Sequence, residues 1–138
     1  MELMGDASKA RIIAFIIDNL IACFASLLTA GLIKSNNPIL TGGVLTVSYL
    51  GYFFIFESLW SRTPGKFLQG LVVRKEDGTR CQLKDHLTRT LTRILEANPI
   101  LFGGIPAGIA IFSSARKQRW GDSLAGTVVI PTTQDRAR

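Results

Sequence analysis

The sequence predicts an all-α membrane protein: an antiparallel helical bundle of two full transmembrane helices plus a tilted or broken helix pair, with a small cytoplasmic β-hairpin. Three observations lead there. Two runs of 22 residues, Ile12 to Ile33 and Ile39 to Trp60, carry one charge each, Asp18 and Glu57, and each is long enough to cross the ~30 Å hydrocarbon core as a helix. Hydrophobic residues make up 47% of the 138 residues and charged residues 19%, with a mean hydropathy of +0.28, which excludes a disordered, highly charged chain. The sixteen Lys and Arg behind the net charge of +6 fall between the apolar runs, so the basic excess reads as membrane orientation and no nucleic-acid partner is expected. One His and the distant Cys23 and Cys81 supply neither a zinc shell nor a disulfide framework. A single domain over 1–138 follows from the length.

The elements are justified in order. The first helix spans about 11–33. Lys9 and Arg11 ahead of an apolar stretch resemble the start of a signal peptide, but the run exceeds the usual ~7–15 apolar residues and no small-x-small cleavage site closes it, so it is expected to be retained. Lys34 to Pro38 is a polar turn that sends the second helix, about 39–60, back antiparallel. Its Tyr49, Tyr52, Phe53, Phe56 and Trp60 recur at helical spacing and read as packing and lipid contact, with Trp60 as an interfacial anchor. A cytoplasmic hairpin is expected over about 70–83: Leu71 to Arg74 as one strand, Asp77-Gly78 as the turn and Thr79 to Leu83 as the return. An isolated hairpin is marginal, so it needs cover from the membrane surface, from a C-terminal strand at Thr127 to Ile130, or from a partner.

A further helix over about 84–101 sets Leu87, Leu91, Ile94 and Leu95 on one face and Arg89 and Arg93 on another. That pattern predicts an interfacial helix whose two Arg reach the phosphates of anionic lipid head groups. The apolar stretch Pro99 to Phe112 is broken by Gly103-Gly104 and Pro106, giving a last helix at about 105–115 and a cytoplasmic tail over 116–138. Fifteen of the sixteen basic residues fall before the first run, between Arg62 and Arg93, or after Ala115. The positive-inside rule puts all three regions in the cytoplasm of a cell-membrane protein and favours the broken pair over a lone third span.

Carboxylates at membrane depth cost roughly 2.5–3.5 kcal/mol each on insertion scales and mark function by default. Asp18 and Glu57 are therefore the candidate ion or proton site, against a structural alternative in which they order the bundle as buried pairs. Thr63-Pro64-Gly65-Lys66 reads as a tight turn more readily than as an anion-binding one, because it lacks P-loop spacing. His86 reads as an interfacial polar residue, and Gly104 with Gly108 as a close-packing pair. No nucleophile and base can be assembled, so no enzyme, catalytic residue, metal site or cofactor is expected.

The pattern resembles the RDD family of small membrane proteins over nearly the whole chain. The resemblance rests on Arg11-x-x-Ala14-x-x-x-Asp18, on Glu57 followed by Thr63-Pro64-Gly65-Lys66 and Gly70-Leu71-Val72-Val73, on Asp77-Gly78, and on Arg116 to Trp120 leading into Asp122 and Thr127. It assigns the family arginine to Arg11 and the two aspartates to Asp18 and Asp122; this chain has Gly121 where many members carry His. It implies transport of an undefined ligand, with cation/proton antiport proposed for some members, or an accessory role in a membrane complex. A bridge from Arg11 to Asp122, tying the tail to the first helix, is the structural expectation. Two functions follow: a transport protein, homo-oligomeric, using Asp18 with Glu57 in support, or a non-catalytic scaffold or assembly subunit presenting its basic face to anionic lipid or a membrane-complex partner.

Overall fold

Two long apolar runs become two long helices. In the computed structural model, which describes residues 8–96 and 118–136, α1 is Ser8–Ile33 and α2 is Pro38–Trp60. Asn37 caps α2, its side-chain oxygen accepting from the Ile39 and Leu40 amides at 2.9 and 3.3 Å, and Pro38 starts the helix where a missing N–H costs nothing. At the far end Ser61 turns left-handed at φ 56° and donates its N–H to the Glu57 carbonyl. The helices run antiparallel, Asn19 opposite Tyr49 and Asp18 opposite Tyr52.

Between them lies a core of Ala22, Tyr49, Tyr52 and Phe53. Phe53 meets both tyrosine rings edge-on, with centroids 5.2 and 5.0 Å apart, the arrangement ring quadrupoles prefer. The small Ala22 lets the aromatics of α2 approach. The outer surfaces are the reverse of a water-soluble bundle: Leu20, Phe24, Leu27, Leu32, Ile39, Val47, Ile55 and Leu59 are all exposed, far more apolar surface than a soluble monomer shows. Both helices are long and apolar enough to cross a membrane.

After Ser61 the chain makes a short helix, α3 (Pro64–Leu68), and a strand, β1 (Leu71–Lys75). Here the expected hairpin over 70–83 is corrected. The turn forms, with Gly78 at φ 88° and Asp77 Oδ1 accepting from the Thr79 amide and hydroxyl, but residues 79–82 are not a strand. The partner is β2 (Thr127–Pro131), antiparallel in the register Leu71 to Pro131 through Lys75 to Thr127. The reason is burial on both faces. Leu71, Val72 and Val73 are all buried, and polar Thr79 to Gln82 cannot cover them. On one face Val72 packs with Val128 and Ile130; on the other Leu71 and Val129 pack against Ala10 and Ala14 of α1. The sheet thereby docks on the first turns of α1.

The residues after the turn enter α4 (Leu83–Glu96) instead, with Asp85 Oδ2 accepting the Gln82 amide at 2.7 Å. The residues expected as a plain tail fold as α5 (Trp120–Ala125), β2 and α6 (Thr132–Arg136). Gln118 Nε2 donates to the Thr127 carbonyl and to Glu76, and Arg74 holds Asp135 with two bonds of 2.7 Å. The outcome is a mostly helical chain with one two-stranded sheet. The continuation of the 84–101 helix beyond 96, the helix at 105–115, the choice between a broken pair and a lone third span, and the Gly104–Gly108 pair lie outside the described residues.

Because β2 and not residues 79–83 completes the sheet, Ile130→Ala is expected to cost about 2–5 kcal/mol, seen as a drop in Tm in detergent. Thr79→Ala is expected to stay within about 0.5 kcal/mol of wild type. Similar losses from both would contradict this pairing.

Candidate functional site

The ends of α1 and α2 nearest the sheet carry a buried polar cluster, built from two parts. The first is a clasp around Asp18. Its Oδ1 accepts from the Tyr52 hydroxyl at 3.0 Å and the Gly65 amide at 2.8 Å, and its Oδ2 from the Thr63 hydroxyl. The Thr-Pro-Gly turn thus holds the protein's own Asp18 carboxyl group. Gly65 is required by proximity: a Cβ there would lie 2.5 Å from the Ala14 carbonyl oxygen and 2.8 Å from the Asp18 carboxyl.

The second part is an ionic network centred on Arg89 of α4. Its Nε donates to Glu57 Oε2 at 3.1 Å and its Nη2 to Oε1 at 3.3 Å, while its Nη1 donates to Asp122 Oδ1 and, at 2.9 Å, to Thr127 Oγ1. Glu57 Oε1 also accepts from Lys66 Nζ, with Arg93 Nη2 at 3.8 Å, and His86 Nδ1 stands 3.9 Å from Oε2. Asp122 Oδ2 accepts from Arg11 Nη2 at 3.0 Å and from the Arg119 amide at 3.2 Å, and Arg119 Nη2 lies 3.6 Å from Oδ1. The Arg11 to Asp122 bridge anticipated from the sequence is therefore present. Asp18 takes no part in it, because the Arg11 side chain leans toward the N-terminus of its helix, away from Asp18.

One placement is reversed. Arg89 and Arg93 do not face lipid: Arg89 is 0% exposed and Arg93 3%, whereas Leu87 and Leu91 are 48% and 53% exposed. Helix α4 turns its polar face inward because Glu57 and Asp122 wait there as counter-charges, and its leucines outward. Arg93 lies over the Phe53 ring, 3.7 Å from its centroid, a cation–π contact that partly replaces lost hydration. Asp18 and Glu57 are also not one site. The α3 turn separates them, giving Thr63 and Gly65 to the first and Lys66 to the second. Lys66, Tyr52, Thr63, His86 and Arg119 were not recognised as site residues from sequence. The available signal was Thr63 to Lys66 following closely on an acid at the end of a span, and Arg119 three residues before Asp122.

Residues 8–126 match the family model of the RDD family. The chain belongs to the RDD family. RDD proteins are generally membrane proteins, as the exposed apolar surfaces of α1 and α2 lead one to expect. No curated protein matches this RDD chain, and no solved structure does. The three residues assigned to the family's arginine and aspartates divide between the two parts of the cluster: Arg11 and Asp122 in the network, Asp18 in the clasp.

The electrostatics outside the spans follow from the geometry. Burial penalises the Arg89 charge, but Asp122 and Glu57 outweigh the penalty and hold its pKa above the ordinary arginine value. Burial acts to raise Asp122, yet Arg89, Arg119 and Arg11 keep its carboxyl well below the usual carboxylate range. Burial pulls the Lys66 ammonium down to about 8 against the attraction of Glu57, with repulsion from Arg89 and Arg93 added. Arg93 falls to about 10 through burial and the like charge of Arg119, Glu57 opposing. Among the described residues, the cluster holds five cationic side chains, Arg11, Lys66, Arg89, Arg93 and Arg119, against the three carboxylates Asp18, Glu57 and Asp122.

Arg89→Met leaves Glu57 and Asp122 buried without their shared guanidinium and is expected to destabilise the RDD fold by about 3–5 kcal/mol, measured by thermal unfolding in detergent; a loss below about 1 kcal/mol would contradict the hub. Lys66 makes stability pH-dependent with a defined sign. Below about pH 8 it is charged whether folded or unfolded, and the buried charge weighs against folding. Between about 8 and its ordinary 10.5 the folded protein has released the proton while the unfolded chain keeps it, so this contribution raises stability with pH. Lys66→Met is expected to remove that contribution, read as the difference between wild-type and variant Tm across the window.

Proposed function

We propose that the protein is a membrane transport protein, acting as a homo-oligomer, whose buried charge cluster binds and releases a small ion as the Glu57–Lys66 pair changes protonation. The observation that carries this reading is the cluster itself: ionisable side chains gathered and buried where two apolar spans end, a placement costly enough to call for a use. The resemblance to the RDD family favours transport, and the basic residues flanking the spans favour a cytoplasmic placement of this end, with both termini on that side in the cell membrane.

In this reading the titrating centre is the Glu57–Lys66 pair, and Asp18 supports it through the α3 turn. Asp18 accepts from three uncharged donors, which supports a role for it in positioning the α3 turn. Lys66 is the group that titrates near physiological pH. When it loses its proton, its hydrogen bond to Glu57 Oε1 is no longer assisted by a charge on the donor and the cluster gives up one positive charge, which weakens its hold on a negative counter-ion. Short hydrophobic segments make a thin bundle, so in this reading the path lies between copies. The protein is a carrier in this reading and not an enzyme. A second reading, an assembly subunit of a membrane complex, is favoured by the exposed Leu83, Leu87, Leu91, Trp120 and Leu124 on α4 and α5, an apolar surface suited to lipid or a partner subunit.

In proteoliposomes carrying a pH-sensitive dye, wild type is expected to move protons under an imposed salt gradient, with a rate that changes most steeply near pH 8. Lys66→Met and Glu57→Gln, checked for folding by size exclusion, are expected to move none. Wild-type flux from Lys66→Met would remove the pair from the mechanism. No flux from wild type, together with a stoichiometric co-purifying protein, would replace transport with the assembly reading.

A further inference from the structure

We propose that Arg93 and Arg119 form a binding site for a phosphate-type oxyanion. The inference names the class of ion for the cluster and rests on the transport reading only for its use; the binding itself is tested without a gradient. Its basis is unused hydrogen-bonding capacity. Arg93 Nε, Arg119 Nη1 and Nη2, and His86 Nδ1 are buried, and none has a hydrogen-bond partner among the described residues. Both arginine side chains are more than nine-tenths buried. Buried donors are almost always paired, and leaving one unpaired costs more when the group is charged.

The carboxylates nearby do not meet this demand. Arg93 Nη2 stands 3.8 Å from Glu57 and Arg119 Nη2 stands 3.6 Å from Asp122, distances at which charges attract but hydrogen bonds are not made. The nearer positions on both carboxylates are taken by Lys66, Arg89, Arg11 and the Arg119 amide. What remains is a pair of guanidinium groups, Arg93 beside Glu57 and Arg119 beside Asp122, flanking the two carboxylates that Arg89 joins.

Water accommodates unpaired N–H groups but leaves the excess of positive charge in place. An anion answers both. The chain joining α4 to Gln118, residues 97–117, contains no Asp or Glu and adds Arg116 and Lys117, so that segment supplies no counter-charge. Guanidinium N–H groups in a planar fork fit two oxygens of one tetrahedral anion, and two such groups from separate elements, α4 and the start of α5, fit a phosphate or sulfate better than a spherical halide. His86, two turns back from Arg93 on the inward face of α4, keeps its Nδ1 on the Glu57 side of the cluster. The oxyanion is either free or carried on a lipid head group, and the two sources are separated below.

The full chain, in detergent or in nanodiscs of phosphatidylcholine, is titrated with inorganic phosphate, sulfate and chloride, and Tm is followed, since a ligand that binds the folded state raises it. Phosphate and sulfate are expected to raise Tm saturably and chloride not to. Arg93→Gln and Arg119→Gln are each expected to weaken the apparent Kd by about tenfold, with Arg80→Gln, an exposed position, binding as wild type. If Arg93→Gln fails to fold, Arg93→Lys keeps the charge while removing the fork, and is expected to weaken phosphate binding in the same direction. In nanodiscs containing phosphatidylglycerol, a raised Tm with no further response to phosphate identifies the lipid head group as the source; a full response to phosphate identifies the free ion. No shift with phosphate, sulfate or phosphatidylglycerol, or unchanged affinity in both Gln variants, overturns the proposal. So does binding that appears only when Glu2, Asp6 and Glu96 are neutralised together, because the occupant is then the chain's own carboxylate.

Discussion

Arg89 reaches two helices at once: Nε and Nη2 to Glu57 of α2, and Nη1 to Asp122 of α5 and Thr127 at the start of β2. With no exposed surface, it has only these partners to compensate the loss of hydration, so their positions are set together. That single guanidinium turns the polar face of α4 toward the spans, holds α5 against α4, and places β2 where it can complete β1. Arg11 then ties Asp122 back to α1. Desolvating this many charges costs several kcal/mol per ion. The network is therefore better understood as specifying one arrangement of segments than as a net source of stability.

The Asp18 clasp is a different solution to the same problem. Here a buried carboxylate is compensated by neutral donors, two of them from the turn that follows α2. The turn's Gly65 has no side chain because α1 passes against it, and Lys66, the next residue, points to Glu57. The two parts are thus mechanically joined through the four consecutive residues Thr63 to Lys66. Five cations against three carboxylates give the cluster its positive sign, and the unpaired N–H groups lie on the arginines Arg93 and Arg119.

Much of the fold was legible in the sequence. Span lengths follow from uninterrupted apolar runs, the turn at Asn37-Pro38 from capping chemistry, and β1 from three consecutive branched or aliphatic residues. Thr127 to Ile130 was recognised as a possible cover for that strand, yet Asp77-Gly78 drew the pairing to residues 79–83, since a local turn signal reports where the chain bends and not what lies beside it afterwards. The face of α4 was misjudged for a related reason. Amphipathic spacing shows that leucines and arginines are on opposite sides, but which side is inward depends on the neighbours. In contact with water the leucines go in; beside Glu57 and Asp122, with an apolar exterior, they go out.

By itself, then, the sequence determined the properties that one segment's hydrophobicity and capping decide against a uniform surrounding: two long apolar helices, their antiparallel order, a strand after a glycine, and acids that demand explanation. Only the tertiary structure decided partnership. The contacts that define the cluster join Arg11 to Asp122, Glu57 to Arg89 and Arg89 to Asp122, across separations that no periodicity encodes. A charge states the sign of the partner it needs and nothing of its address, and the address is set by which segments the packing of apolar surfaces brings together.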